Sequence, residues 1–101
     1  MVDDSPDKYA ASAEEAKRIH EIVRSRAIGL GFETFEVHFG KDSTGEPAVW
    51  ISFILDRRFP TDKESVRRLS KLGRTVKAAL FETNISRIPY VRFRERQEAA
   101  S

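Results

Sequence analysis

The residues that could perform acid–base or metal chemistry are few in this chain. It has two histidines and no cysteine, so a thiolate nucleophile and a cysteine-based metal site are excluded. His20 lies in a candidate helix and His38 in a candidate strand, and neither belongs to an HExxH motif or has a GxSxG serine to serve. The paired carboxylates Glu14 and Glu15 stand at a helix start, where they complement the helix dipole. We therefore expect no catalytic residue, no metal site, no cofactor and no enzymatic activity.

A stripe of cationic side chains is the most suggestive feature for binding. Four cations recur at spacings of four, four and three, which places them on one face of a helix over about 16 Å. The acid available between positions 63 and 81 is Glu64, so this face repels itself unless it meets an anionic partner. The stripe consists of Lys63, Arg67, Lys71 and Arg74. An ordinary solvated helix face is the alternative interpretation of the same pattern.

Charge is also distributed unevenly along the chain. Residues 1–56 hold six Lys and Arg against eleven Asp and Glu, whereas residues 57–101 hold twelve against five. A basic half on a domain of net charge +2 indicates a partner. Arginine outnumbers lysine by twelve to six, and arginine favours bidentate contacts with phosphates and carboxylates.

Aromatic residues accompany arginines in the last candidate strand, "RIPYVRFR". Apolar residues at 91 and 93 alternate there with Tyr90, Arg92 and Arg94, which therefore share the opposite face. Trp50 lies on the corresponding side of the preceding strand. Such a face suits base stacking, with Arg92 and Arg94 extending the basic patch. A protein interface through Trp50 and Tyr90 is slightly favoured over base stacking, since Trp, Tyr and Arg are enriched at interfaces and the strand lacks an RNP-type aromatic motif.

The periodicity of the chain predicts the element order α-β-β-α-β. Capping boxes at Ser12–Glu15 and Thr61–Glu64 precede apolar stripes that predict helices over about 13–29 and 62–82. Alternating segments at 32–39 and 48–55 predict an antiparallel hairpin, and "RIPYVRFR" predicts a third strand in which Pro89 marks an edge. We expect an α+β fold, with a three-stranded sheet and two helices packed on one face. The last helix should be a right-handed crossover.

The length of 101 residues predicts one domain, which we place at 12–95 between flexible tails at 1–11 and 96–101. The acidic N-terminus lacks the basic and apolar regions of a signal peptide. No window approaches 18 apolar residues, so we expect no membrane partner and a cytoplasmic location.

Several segments resemble ribosome-binding factor A, a small bacterial factor with a type II KH-like fold. The similarity covers roughly residues 14–96, and its residues are the first amphipathic helix, the hairpin "FEVHFGKDSTGEPAVWISFIL", the helix segment "LSKLGRTVKAAL" and the ending "SRIPYVRF". That family binds small-subunit ribosomal RNA during maturation. The resemblance implies that the basic helix and the nearby strand contact RNA, although the GxxG loop with which KH domains grip single strands is missing.

We therefore expect a non-enzymatic nucleic-acid-binding module, with RNA as the ligand before DNA. The predicted contacts are Lys63, Arg67, Lys71, Arg74, Arg92 and Arg94. The alternative is a protein-interaction module, either a homodimer or the antitoxin-like partner of a protein encoded in the same operon. It would use the sheet face and the edge strand, with Trp50 and Tyr90 at the interface.

Overall fold

The computed structural model describes residues 9–56 and 58–96, and it has the predicted α-β-β-α-β order. The α+β class, with two helices and a three-stranded sheet, is confirmed. Positions 1–8 and 97–101 of the predicted tails lie outside the described residues. The elements are α1 (Ala13–Ile28), β1 (Phe35–Lys41), β2 (Pro47–Leu55), α2 (Lys63–Glu82) and β3 (Ile88–Glu95).

Helix α1 begins at its predicted cap, because the Ser12 hydroxyl accepts a hydrogen bond from the Glu15 amide at 3.1 Å. After the helix ends, Gly31 adopts a φ of +88°, a left-handed conformation that glycine takes without steric cost. The amide of Phe32 donates back to the Ala27 carbonyl at 3.0 Å. Phe32 therefore belongs to the turn that ends the helix, and β1 begins three residues later than the alternating pattern predicts.

Helix α2 starts one residue beyond the predicted cap. Its N-cap is Asp62 rather than Thr61, since the first helical hydrogen bond runs from the Val66 amide to the Asp62 carbonyl at 3.0 Å. The helix then continues without interruption through Gly73 to Glu82. The predicted apolar face is buried at Leu72, Val76 and Leu80, whereas Val66 on the same face is 49% exposed.

The sheet has the strand order β1-β2-β3, so β1 and β3 are its two edges. β1 pairs antiparallel with β2, and Phe35 lies opposite Phe53. β3 pairs parallel with β2, and Trp50 lies opposite Tyr90. A parallel neighbour requires a crossover connection, and α2 provides it.

Both helices pack on one face of the sheet, where they bury a single core. α1 contributes Ile19 and Val23 to it, and α2 contributes Leu72 and Val76. The two helices run antiparallel, because Arg18 near the start of α1 donates to the carbonyl of Thr83, just after α2, at 3.1 Å. Among the residues that the structure describes, neither helix has an apolar stretch long enough to cross a bilayer.

Helix α2 lies directly over β3. A Cβ atom on Gly73 would be 3.9 Å from side-chain atoms of both Val91 and Phe93. The side of α2 that is turned away from α1 therefore borders the outer edge of the sheet. This placement positions the surface described next.

Candidate interaction surface

The edge of β3 presents backbone groups that the sheet does not use. The Arg96 amide donates to the Leu55 carbonyl at 2.8 Å, and in a parallel ladder the groups of every second residue point the same way. Even-numbered residues of β3 therefore bond to β2. The N–H groups of Val91, Phe93 and Glu95 point outward, away from the described part of the sheet. Pro89 shares this outward register and has no N–H to offer.

Exposed apolar side chains are concentrated along this edge. Among the described residues, five large hydrophobic side chains are exposed, of which two belong to β3 and two to α2, the helix that lies over it. Ile88 and Tyr90 belong to the strand itself and lie on the open face of the sheet. Val66, at 49% exposure, and Phe81, at 61%, lie on the side of α2 that contains Gly73. Ile28, on α1, is the fifth.

The predicted interface residues Trp50 and Tyr90 are neighbours on the open face. Their rings stack with centroids 5.8 Å apart and planes 17° apart, as their opposed positions in the β2–β3 register require. A Cβ on Gly40 would lie 3.3 Å from the Trp50 ring, so this glycine lets the ring settle over β1. The pair forms an aromatic corner beside the exposed β3 edge.

The loop between β1 and β2 fixes the Tyr90 end of this stack. The Tyr90 hydroxyl donates to Asp42 at 2.8 Å, while the Thr44 hydroxyl donates to the same carboxyl at 2.6 Å. These two hydrogen bonds, the Thr44 one foremost, lower the pKa of Asp42 to about 2. The hydrogen bond to the Asp42 carboxylate in turn raises the pKa of the Tyr90 phenol.

The two arginines of β3 that the sequence assigns to RNA make contacts within the protein. Arg92 donates through Nε to the Ser52 hydroxyl at 3.1 Å, and Arg94 forms an ion pair with Glu36 across β2. Both guanidinium groups remain on the exposed open face. Arg92 has no carboxylate partner among the described residues, whereas Arg94 is already neutralised.

The four cations of the α2 stripe are exposed, and among the described residues none of them forms an ion pair or a hydrogen bond. Lys77 extends the same exposed surface. Counted over its whole length, α2 carries six Lys and Arg against two Glu. The stripe therefore lies where its spacing predicts, on one solvent-facing side of a single helix. The residues of the stripe are Lys63, Arg67, Lys71 and Arg74.

Arg87 is a structural residue that sequence reasoning missed. Its side chain is 5% exposed and forms an ion pair with Glu15, with Nε at 2.9 Å from the carboxylate. Its Nη1 donates to the carbonyls of Tyr9 at 2.7 Å and Ala48 at 3.2 Å. The guanidinium also lies 4.9 Å from the centre of the Phe39 ring. A local sequence pattern does not predict this contact, because Glu15 and Arg87 are separated by most of the chain.

The histidines occupy separate places. His20 lies beside the Phe35 ring, with centroids 4.7 Å apart, and the exposed His38 has its Nε2 at 3.4 Å from Glu36. Within residues 9–56 and 58–96, no group of three or more His, Cys, Asp or Glu side chains is arranged to hold a metal ion.

Comparison with known proteins yields a likeness of fold. No protein-family model matches the sequence, and no curated protein matches it. The structure is similar to a chain of CzrB, a protein proposed to be a zinc transporter, with a TM-score of 0.58 and 12% sequence identity. The match covers 87% of this chain and 100% of the CzrB chain. At this identity the likeness shows the fold alone.

This likeness corrects the sequence-based identification. The resemblance to ribosome-binding factor A and its KH-like fold is wrong, because the similar solved structure is a chain of a proposed zinc transporter. The nucleic-acid-binding function is overturned with it. The structure also weakens the basis of that function, since Arg94 pairs with Glu36 and α2 is one continuous helix. The fold of this chain is therefore not specific for RNA-binding factors.

Proposed function

We propose that this chain is a protein-interaction domain that docks a partner along the edge of β3. The observation that supports the proposal is the concentration of exposed large hydrophobic side chains on both sides of this edge. Apolar side chains that are exposed singly are normal on a protein surface, but a group of them marks interaction sites. Here the group flanks a strand whose outward N–H groups have no backbone acceptor within residues 9–56 and 58–96, which is the arrangement that strand addition requires.

The proposal assigns no reaction to the chain and places it in the cytoplasm. His20 and His38, the two candidate acid–base residues, lie apart and contact an aromatic ring and a glutamate. Trp50 and Tyr90 would contribute the aromatic part of the interface, since such residues dominate binding energy where they become desolvated.

The proposal is tested by panning a phage-displayed library of random peptides on the immobilised protein. We expect enriched peptides whose binding falls in the variant Glu95→Pro, which removes one outward N–H of β3 without touching the β2 ladder. The matched control is Lys41→Pro, which alters the end of the opposite edge strand and should leave binding unchanged. Failure to enrich any peptide, or equal loss in both variants, would contradict an interaction site at β3.

A homodimer through the open face is the alternative partner, and the stacked Trp50–Tyr90 pair favours it. Light scattering after size-exclusion chromatography measures the mass directly. A dimer that dissociates in Trp50→Ala, but not in Glu95→Pro, would place the interface on the open face instead of the edge.

A second candidate function is that of a domain associated with a metal transporter, which the likeness to the CzrB chain supports at the level of fold. The described residues do not fit a zinc site, because structural zinc takes four ligands and no suitable group of three is present among them. Calorimetric titration with Zn²⁺ tests this candidate. We expect no stoichiometric binding, and a stoichiometric site would favour the transporter-associated role.

A further inference from the structure

The proposed docking edge offers one hydrogen-bonding register to an added strand. Outward N–H groups are available at Val91, Phe93 and Glu95, and outward carbonyls at the same residues and at Pro89. An extended segment that pairs with these groups becomes a fourth strand next to β3. Its side chains then alternate between the helix side of the sheet and the open face.

The helix side of such a strand meets apolar surface. Val66 and Phe81 project from the border of α2, and the missing side chain at Gly73 leaves space above Val91 and Phe93. Every second residue of the added strand would therefore be apolar, because burying it covers hydrocarbon that is otherwise exposed to water.

The open-face side of the strand meets Ile88 and Tyr90 near the start of β3 and positive charge further along the strand. Arg92 is exposed on that face and bonds to the Ser52 hydroxyl, without a carboxylate partner among the described residues. The residues between the apolar ones would therefore be acidic, since a carboxylate there gains a charge-assisted hydrogen bond.

The same charges disfavour a second copy of this chain at the edge. Pairing β3 antiparallel with itself would bring Arg92 and Arg94 of one copy beside the same residues of the other. Like charges placed directly opposite each other destabilise a strand pair. Glu95, the acid of β3, shares the helix side of the sheet with Val91 and Phe93, so it does not compensate these arginines.

We propose that the β3 edge accepts an extended segment of another protein in which apolar and acidic residues alternate. This inference rests on the proposed function and names the chemistry of its partner. The apolar residues would cover Val66 and Phe81, and the acidic residues would meet Arg92.

The test uses a capped seven-residue peptide of alternating valine and glutamate, which matches the outward register from residue 89 to 95. Two controls separate pattern from charge: a peptide of the same composition with its valines and glutamates in two blocks, and an alternating peptide of valine and lysine. We expect the alternating acidic peptide to bind more tightly than either control, by about tenfold.

Amide hydrogen exchange measured by NMR locates the bound strand. Saturating acidic peptide should slow exchange at Val91, Phe93 and Glu95 by about tenfold or more, because these amides become hydrogen-bonded. The outward amides of Val37 and Phe39 on the β1 edge should be unaffected. Glu95→Pro should weaken binding by about fivefold, and Arg92→Gln by about threefold with a smaller salt dependence.

Several results would overturn the inference. If the block peptide or the lysine peptide binds as tightly as the alternating acidic peptide, the edge does not recognise that pattern. If amides of β1 are protected instead, the peptide binds at the other edge of the sheet. Protection of the β3 amides without peptide, with a mass that rises with concentration, would show that a second copy occupies the edge. If no synthetic peptide binds while library panning still selects β3-dependent binders, this inference fails and the proposed function stands. If panning also selects none, both fail.

Discussion

Arg87 and Arg94 both pair with a glutamate, but their surroundings differ. The Arg87 side chain is 5% exposed and its Glu15 partner 28%, whereas those of Arg94 and Glu36 are 56% and 47% exposed. A buried guanidinium needs all its partners, because an unpaired charge in the interior is costly. An exposed pair is screened by water and adds little. Two arginines of one short sequence segment therefore have different roles.

Replacing Arg87 with Met should lower the free energy of unfolding by about 3 kcal/mol, because it leaves Glu15 without its partner. Replacing Arg94 with Met should cost at most about 1 kcal/mol. Urea denaturation followed by circular dichroism measures both variants. Equal losses in the two variants would show that Arg87 is not a buried structural contact.

Asp42 gives the domain a pH-dependent contribution to stability. Its pKa is about 2 in the folded chain and 3.8 as the ordinary value, so folding favours the ionised form. The contribution is complete above pH 3.8 and is lost as the pH falls through about 2. Asp42→Asn lacks this contribution, so the difference in unfolding free energy between wild type and variant should shrink over that interval.

Denaturant titrations at several pH values test this expectation. The control is Glu46→Gln on the same loop, whose carboxylate makes no hydrogen bond among the described residues. A difference between wild type and Asp42→Asn that stays constant down to pH 2 would show that Asp42 is not linked to Thr44 and Tyr90 in this way.

Local patterns predict the elements of this fold well. In α2 the buried Leu72, Val76 and Leu80 recur at spacings of four, which is the signature of a helix with one face in the core. The start of β1 is harder to predict, because Phe32 is apolar but shares its strand face with the polar Thr34 and Glu36 rather than with Phe35 and Val37. Phe32 precedes β1 and is buried in the core, where its ring lies beside that of Phe53. Sequence spacing carries no information about that contact.

The edge surface could be predicted only in part. Trp50, Tyr90 and Pro89 carry signals of their own, because aromatic residues favour interfaces and proline favours edges. The contribution of Val66 and Phe81 depends on how α2 is rotated over β3. That rotation results from helix packing at Gly73, which only the three-dimensional structure shows.

Gly73 lies within α2, where glycine lowers helix stability. A Cβ at this position would make ordinary contacts at 3.9 Å, so Gly73→Ala should raise the free energy of unfolding by about 1 kcal/mol. Gly31, at a φ of +88°, is the contrasting site, and Gly31→Ala should lower it by about 1 kcal/mol. Thermal unfolding of both variants tests the pair. A loss of stability in Gly73→Ala would mean that α2 lies closer to β3 than described.

At the scale of the whole molecule, part of the charge asymmetry along the chain is balanced by ion pairs within the protein. The acidic first half supplies Glu15 and Glu36, and the basic second half supplies Arg87 and Arg94. These ion pairs connect the two halves, so a basic second half does not by itself require an outside partner. The cations of α2 are different, because they remain unpaired among the described residues.

We expect β3 to be essential to the fold, although it is an edge strand. It follows Arg87 in the chain and places Phe93 against Phe53, with ring centroids 5.9 Å apart. A chain that ends at Ser86 should have the circular dichroism of an unfolded polypeptide, whereas one that ends at Arg96 should retain native helix content. A folded, cooperative domain in the shorter chain would refute this expectation.

Pro89 also affects where an added strand can begin to pair with β3. An edge of identical backbone groups lets a bound segment slide by two residues at a time, so that several alignments are populated together. Pro89 interrupts that uniformity at one end, because a carbonyl placed opposite it finds no donor. A segment shifted toward Ile88 loses a hydrogen bond, while one that begins beyond Pro89 keeps all of them. Pro89 thus opposes a shift of the bound segment toward the start of β3, and a partner is held most favourably when its paired residues begin beyond this proline.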